Sequence, residues 1–140
     1  MEYKRYGQCI VMRIDRGEEI LECIKLLCES ECIQLAQFSG IGAVNAVKMG
    51  LFETAVKAYH SEEFKGDFEI SSLSGNITRM DDEVYIHAHI CIADRECKTF
   101  GGHLNRAVVS ATAEFIIRCI DGSTGRKFSD EIGLNLLDWS

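Results

Sequence analysis

Residues 68–93, FEISSLSGNITRMDDEVYIHAHICIA, decide the fold class of this chain. Apolar and polar side chains alternate through much of the stretch, which is the two-residue period of a β-strand with one buried face. The polar break Met80-Asp81-Asp82 divides it, as expected for a turn. Two strands joined by so short a connection run antiparallel. The stretch therefore predicts a β-hairpin with strands over 68–78 and 83–93.

The other strand-like segments are also short, and brief turns at 39–42, 65–67 and 121–123 separate several of them. These segments cover 8–14, 33–38, 45–52, 55–64, 111–120 and 127–134. A helix ending near 30–32 is predicted after Asp15, a candidate N-cap, because apolar residues recur there at helical spacing. One helix followed by many strands predicts an α+β fold with a largely antiparallel sheet.

The composition is that of one globular domain, which we place at residues 1–140. The chain is 46% hydrophobic and 26% charged, proportions that exclude a disordered chain, a coiled coil and a collagen-like chain. Its formal net charge is −7, so the chain as a whole repels phosphate backbones. Nonspecific nucleic-acid binding is therefore disfavoured.

Cellular location is predicted from two further features. No apolar run is long enough for a signal-peptide core or for a membrane span of about 20 residues, so we expect neither export nor membrane association. The seven cysteines are odd in number and scattered, unlike the framework of a small disulfide-stapled domain. Together these features predict a cytoplasmic protein.

The strongest candidate site is a group of three histidines within residues 87–103. Alternation along a strand puts His87 and His89 on one face. His103 directly follows two glycines and can return to that face if residues 94–97 form a turn. Three imidazoles with a free fourth position are a ligand set of catalytic-type zinc sites, so the spacing predicts bound Zn²⁺.

Two other readings of these residues stay open. The His-x-His pattern also fits partly exposed polar positions on an amphipathic strand, without a metal. Cys91 shares the face of His87 and His89, but free cysteine is among the most buried residue types, and we interpret it as a core residue. His60 stands apart from the cluster and is expected at the surface or at an interface.

Glu114 is a carboxylate within the otherwise apolar segment 111–117. A buried carboxylate needs a partner, such as a metal or a histidine N–H, whereas one on an exposed edge strand does not. The sequence leaves both possibilities open. If Glu114 lies at the histidines, it is a candidate acid/base group.

Several motifs, in this order, resemble the plant-and-prokaryote conserved (PPC) domain. They are GIGAV at 40–44, GDFEISSLSGNI at 66–77, His87-Ala88-His89, Gly101-Gly102-His103-Leu104 and Ala113-Glu114. The resemblance implies an antiparallel sheet of about seven strands with flanking helices, commonly assembled as a homotrimer that covers edge strands and apolar surface. The PPC fold is also similar to that of acetolactate decarboxylase, a zinc lyase, which strengthens the expectation of a metal site.

Three functions follow as hypotheses. The first is a zinc-binding homotrimer with a DNA-binding, transcription-regulatory role, the usual name for prokaryotic members, although a chain without proline has no AT-hook. The second is a metal-dependent enzyme, a lyase or hydrolase acting on a small anionic molecule, with Glu114 as acid/base and Arg106 as anion contact. The third is a protein-interaction module that presents residues 66–75 to a protein partner.

Overall fold

The computed structural model describes residues 1–140. Eight strands and one helix follow one another along the chain. They are β1 (Glu2–Tyr6), β2 (Cys9–Asp15), α1 (Ile20–Ser30), β3 (Ala36–Glu53), β4 (Ala58–Met80), β5 (Glu83–Ala93), β6 (Thr99–Cys119), β7 (Gly125–Ser129) and β8 (Leu134–Asp138). The alternation in the sequence is realised in these strands. In β2, for example, Ile10, Met12 and Ile14 are buried and the residues between them are exposed.

Six strands form one antiparallel sheet in the order β1-β2-β6-β3-β4-β5. This sheet closes on itself, because β5 pairs with the first residues of β6 while β6 pairs with β3 along most of its length. β7 and β8 form a separate two-stranded sheet. The closure brings β5, the last strand in the sheet order, into direct register with β6.

A single core of 26 buried apolar residues fills the inside of the fold, and α1 contributes Ile20, Ile24 and Leu27 to it. The helix is held to β6 by Glu19. One carboxylate oxygen of Glu19 accepts a hydrogen bond from the Glu22 N–H at 2.7 Å, and the other accepts one from the Ala107 N–H at 2.8 Å. The helix is too short and too polar to cross a lipid bilayer.

The N-cap of α1 differs from the prediction. Glu19, not Asp15, caps the helix, and the carboxylate of Glu18 accepts a hydrogen bond from the Asp15 N–H at 2.8 Å. The reach of Glu18 back to Asp15 is the one expected for a capping box, but the helix itself begins at Ile20, after a further turn.

The α+β class and the largely antiparallel sheet are confirmed, but the expected seven strands with flanking helices are wrong. The fold has eight strands in two sheets and one helix. The predicted turns at 39–42 and 65–67 lie inside β3 and β4, so each long strand replaces two short ones. Gly42, at φ 143°, lies at a register shift of β3. An extra residue at such a bulge bends a strand without reversing it, and this is why the glycines read as turns in the sequence.

Candidate metal centre

The three histidines lie on two neighbouring strands, β5 and β6. His89 is directly opposite His103 in the antiparallel register, and His87 lies two residues away from His89 on β5. Ala88 and Ile90 point into the core, so the histidines face outward. The predicted alternation of β5 is thus confirmed.

The return of the chain to His103 depends on a tight turn between β5 and β6. The carboxylate of Asp94 accepts hydrogen bonds from the Glu96 N–H at 3.0 Å and the Lys98 N–H at 2.9 Å, and these contacts fix the turn. The expectation of a turn at 94–97 is confirmed. Gly102, which precedes His103, lies inside β6, where a Cβ atom would come within 2.7 Å of the Gly50 carbonyl oxygen of β3. The glycine therefore permits a close approach of two strands beside the site.

The imidazole rings converge closely enough to share one ion. The ring centroid of His87 lies 5.2 Å from the ring centroid of His89 and 5.2 Å from that of His103. The ring centroids of His89 and His103 are 5.7 Å apart. One ligand atom from each residue can be chosen so that all three lie within 4.8 Å of one another. Neutral imidazole nitrogens at this spacing fit a divalent transition metal, for which they are common ligands.

The lowered pKa values of two of the histidines also favour metal binding. Burial lowers the pKa of His87 below its ordinary value, and the neighbouring charges of His89 and Arg126 lower it further. Burial likewise lowers the pKa of His103. Because a metal binds only the neutral imidazole, both shifts keep these ligands available near neutral pH.

Two side chains border the cluster on opposite sides. The ring of Tyr59 packs edge-on against that of His103, with centroids 5.9 Å apart, and its hydroxyl donates a hydrogen bond to the Asn105 side-chain oxygen at 2.5 Å. On the side of His87, Arg126 of β7 stacks over the Tyr85 ring with its guanidinium carbon 4.4 Å from the ring centroid. Sequence reasoning assigned neither Tyr59 nor Arg126 to the site, because both are far from the histidines along the chain.

The structure does not bring Glu114 or Arg106 into the cluster. Glu114 is exposed near the far end of β6, opposite Arg13 of β2 and Ile41 of β3. Arg106 is exposed opposite Lys48 of β3, in a groove that is also lined by residues of α1. Neither side chain contacts a histidine. The catalytic roles predicted for them therefore gain no support from the geometry of the site.

Cys91 and His60 lie outside the ligand set. Cys91 follows His89 on the same face of β5 and is half-buried, but it is not part of the converging group. His60 is exposed, and its Nε2 atom lies 3.1 Å from a carboxylate oxygen of Glu53. The candidate centre thus has three nitrogen ligands and no carboxylate or thiolate.

Comparison with known protein families identifies the family of this chain. The profile of the Plants and Prokaryotes Conserved (PCC) domain, the family that the motifs indicate, matches residues 1–121. The chain therefore belongs to this family, abbreviated PPC above. No curated protein sequence matches it significantly.

Solved structures extend the comparison to the whole chain. A candidate DNA-binding protein of Bacteroides thetaiotaomicron is 30% identical, with a TM-score of 0.96 over 99% of this chain and 96% of that one. A metal-containing protein of Archaeoglobus fulgidus is also 30% identical, with a TM-score of 0.86 over 96% of this chain and 95% of that one. Acetolactate decarboxylase of Bacillus subtilis shares the fold alone, at 16% identity and a TM-score of 0.55 over 83% of this chain and 54% of that one.

Proposed function

We propose that this protein binds one Zn²⁺ per chain through His87, His89 and His103, as a cytoplasmic homotrimer with a DNA-binding, transcription-regulatory role. The observation that carries the zinc proposal is the convergence of three imidazoles on neighbouring strands. Zinc fits this donor set because it accepts imidazole nitrogen in tetrahedral sites. These three ligands would leave one coordination position free, and a metal held there would supply Lewis-acid chemistry to a bound molecule.

One observation supports a transition metal over other cations, and a second supports a bound metal in general. Mg²⁺ and Ca²⁺ prefer oxygen ligands, and the converging group contains only nitrogen ligands. The Archaeoglobus fulgidus relative, 30% identical over nearly its whole length, is described as metal-containing. Zinc is among the metals that imidazole ligands suit, and three histidines with an open fourth position are a known zinc ligand set.

The zinc proposal is tested by metal content. Untagged protein and a His87→Ala/His89→Ala variant are incubated with zinc, freed of excess metal and measured by inductively coupled plasma mass spectrometry. We expect about one zinc per chain in the wild type and almost none in the variant, because a single imidazole cannot hold the ion.

A His60→Ala variant is the matched control. It also removes an imidazole, but His60 is exposed and is paired with Glu53, away from the cluster. The control should retain the wild-type zinc content. Wild-type protein that takes up no zinc, or a double variant with undiminished zinc, would refute the proposal.

Self-association, which the proposed homotrimer requires, is supported by exposed apolar side chains on the outer face of β2, β3 and β6. Val11, Ile41 and Ile116 are 44%, 60% and 49% exposed in the isolated chain, and Val11 and Ile116 are cross-strand neighbours. Association that buries such a face is favourable. Light scattering coupled to size exclusion should give three times the 15.7 kDa of one chain.

An Ile116→Lys variant places a charge on this face and should lower that mass toward one chain. Leu26→Lys is its control, because Leu26 is 57% exposed on α1, outside the face. A wild-type protein that is monomeric at all concentrations, or an Ile116→Lys variant that keeps the wild-type mass, contradicts this part of the proposal.

The DNA-binding role is supported by the description of the Bacteroides thetaiotaomicron relative. The net charge of −7 requires that any phosphate contacts come from a local group of basic residues. Fluorescence anisotropy with a labelled duplex at about 50 and 200 mM salt tests it, since phosphate contacts weaken steeply over that range. Absence of binding at the lower salt concentration would remove the role.

A further inference from the structure

The candidate centre has no negatively charged side chain to balance the charge of a bound metal ion. Three neutral imidazoles add no negative charge to a bound dication, and their cross-strand neighbours on β4, Ser74 and Asn76, are neutral as well. The one ion pair that involves a histidine is that of His60 with Glu53, outside the cluster. A dication held here by the protein alone therefore keeps its full positive charge.

Arg126 adds a second positive charge beside the cluster. Its Nε donates a hydrogen bond to the Thr78 hydroxyl at 2.9 Å, and its two terminal nitrogens donate to the Asn135 carbonyl oxygen at 3.0 Å and to the Asn76 side-chain oxygen at 2.8 Å. All three acceptors are neutral. These bonds fix the position of the guanidinium without compensating its charge.

The strand register places the guanidinium next to His87. Asn76, which accepts from Arg126, is the cross-strand partner of His87. Tyr85, whose ring lies under the guanidinium, is two residues before His87 on the same face of β5. Arg126 therefore lies along the outer face that carries the histidines.

Two exposed arginines of the chain are paired differently. Arg5 pairs with Glu31 at 2.7 Å and Arg13 with Asp15 at 2.8 Å, and both lie on the surface. Arg126 is half-buried and pairs with no carboxylate. Three of its five N–H donors are used by the protein, which leaves two for a ligand.

We propose that Arg126 makes the centre a binding site for a small oxyanion, which occupies the free metal position and accepts a hydrogen bond from the guanidinium. This proposal rests on the zinc site proposed above and names the class of its ligand. The guanidinium fork matches the geometry of carboxylate and phosphate oxygens, and an anion neutralises both positive charges. Arg126, from the C-terminal hairpin, takes the role that the sequence suggested for Arg106.

The test uses Co²⁺ in place of zinc, because its visible absorption spectrum reports ligand exchange. Cobalt-loaded wild type, Arg126→Gln, Arg126→Lys and Arg106→Gln are titrated with acetate, inorganic phosphate and the neutral molecule acetamide. In Arg126→Gln we expect the dissociation constant of acetate or phosphate to rise about tenfold, the size of one lost charge-assisted hydrogen bond. Acetamide affinity and the anion affinity of Arg106→Gln should stay close to those of the wild type.

Arg126→Lys keeps the charge but not the fork, and it tests the proposal even if Arg126→Gln does not fold. We expect it to weaken anion binding by about threefold, more than Arg106→Gln does. Equal effects of the Arg126 and Arg106 variants, or none in either Arg126 variant, would overturn the assignment of Arg126 while the metal site stands. Failure of the wild type to bind cobalt or zinc would overturn both proposals.

Discussion

The two ends of β6 follow the same alternating pattern and yet differ in what they can do. At the N-terminal end, His103 faces outward opposite His89 of β5 and Gly50 of β3. At the C-terminal end, Glu114 faces outward opposite Arg13 of β2 and Ile41 of β3. The first end forms a cluster of metal ligands, and the second forms part of a mixed, exposed surface.

The difference lies in the neighbouring strands. At the N-terminal end, closure of the sheet pairs β6 with β5, a strand that carries two more histidines on its outer face. At the C-terminal end the neighbour is β2, which supplies an arginine and apolar side chains to the same face. An outward polar residue on a strand thus becomes a binding site only where the partner strand supplies matching groups.

The largest effect is expected on the free energy of unfolding, from truncating a core side chain on the inward face of the C-terminal end of β6. Phe115 is 1% exposed, and its ring centroid is 6.3 Å from that of Phe38. Truncation leaves a cavity, so Phe115→Ala should lower the free energy of unfolding by about 3–5 kcal/mol. Denaturant unfolding of the metal-free protein measures this. Leu26→Ala, at a position 57% exposed on α1 and outside the face proposed for trimer contact, is a control that should change the free energy of unfolding by less than about 0.5 kcal/mol. A loss below about 1 kcal/mol would show that the core does not depend on this end.

The outward faces of the two ends of β6 are compared by the zinc affinity of one variant from each. His103→Ala should lower the affinity for zinc by more than about 100-fold, beyond the usual effect of changing a group that only supports a ligand. Glu114→Gln should leave it unchanged, since Glu114 contacts no histidine. Competition with a chromophoric chelator measures both.

The same pair of variants separates binding from folding. Metal-free His103→Ala should unfold within about 1 kcal/mol of the wild type, because His103 is only half-buried. If Glu114→Gln lost zinc instead, the functional contrast between the two ends of β6 would be wrong.

The smallest effect is expected between the two ends, where Glu19 joins α1 to the middle of β6. Its carboxylate accepts from the N–H groups of Glu22 and Ala107. Glu19→Ala should cost about 0.5–2 kcal/mol of unfolding free energy, the range found when a helix cap is lost. Zinc content should not change. Glu19→Gln keeps one acceptor oxygen and should recover part of the loss, as circular dichroism during urea unfolding would show.

A large part of the site was predictable from the sequence, because the relevant patterns are local. The two-residue period puts His87 and His89 on one face whatever the rest of the fold does. The turn from Asp94 onward is also local, since the side chain of Asp94 bonds to the backbone two and four residues later. The convergence of His103 with the other two histidines follows from these features together.

The errors arose where local signals have two meanings. Glycines at 40, 42 and 66 predict turns, but in β3 and β4 they allow bends and close contacts within continuous strands. The flanking helices implied by the family resemblance reduce to α1 alone. Whether a glycine ends a strand or bends it depends on the hydrogen bonds offered by the strands alongside.

Local sequence patterns were enough to predict the α+β class with a largely antiparallel sheet, the family and the three candidate ligands, because periodicity, turn chemistry and motif order are properties of neighbouring residues. The folded chain was needed to show that Arg126 lies beside His87 and that Glu114 and Arg106 lie outside the cluster. Those placements depend on pairings between residues far apart in the chain, such as Arg126 with Asn76 and Glu114 with Arg13. Such pairings are set by closure of the whole sheet and docking of the C-terminal hairpin, which no short stretch of sequence encodes.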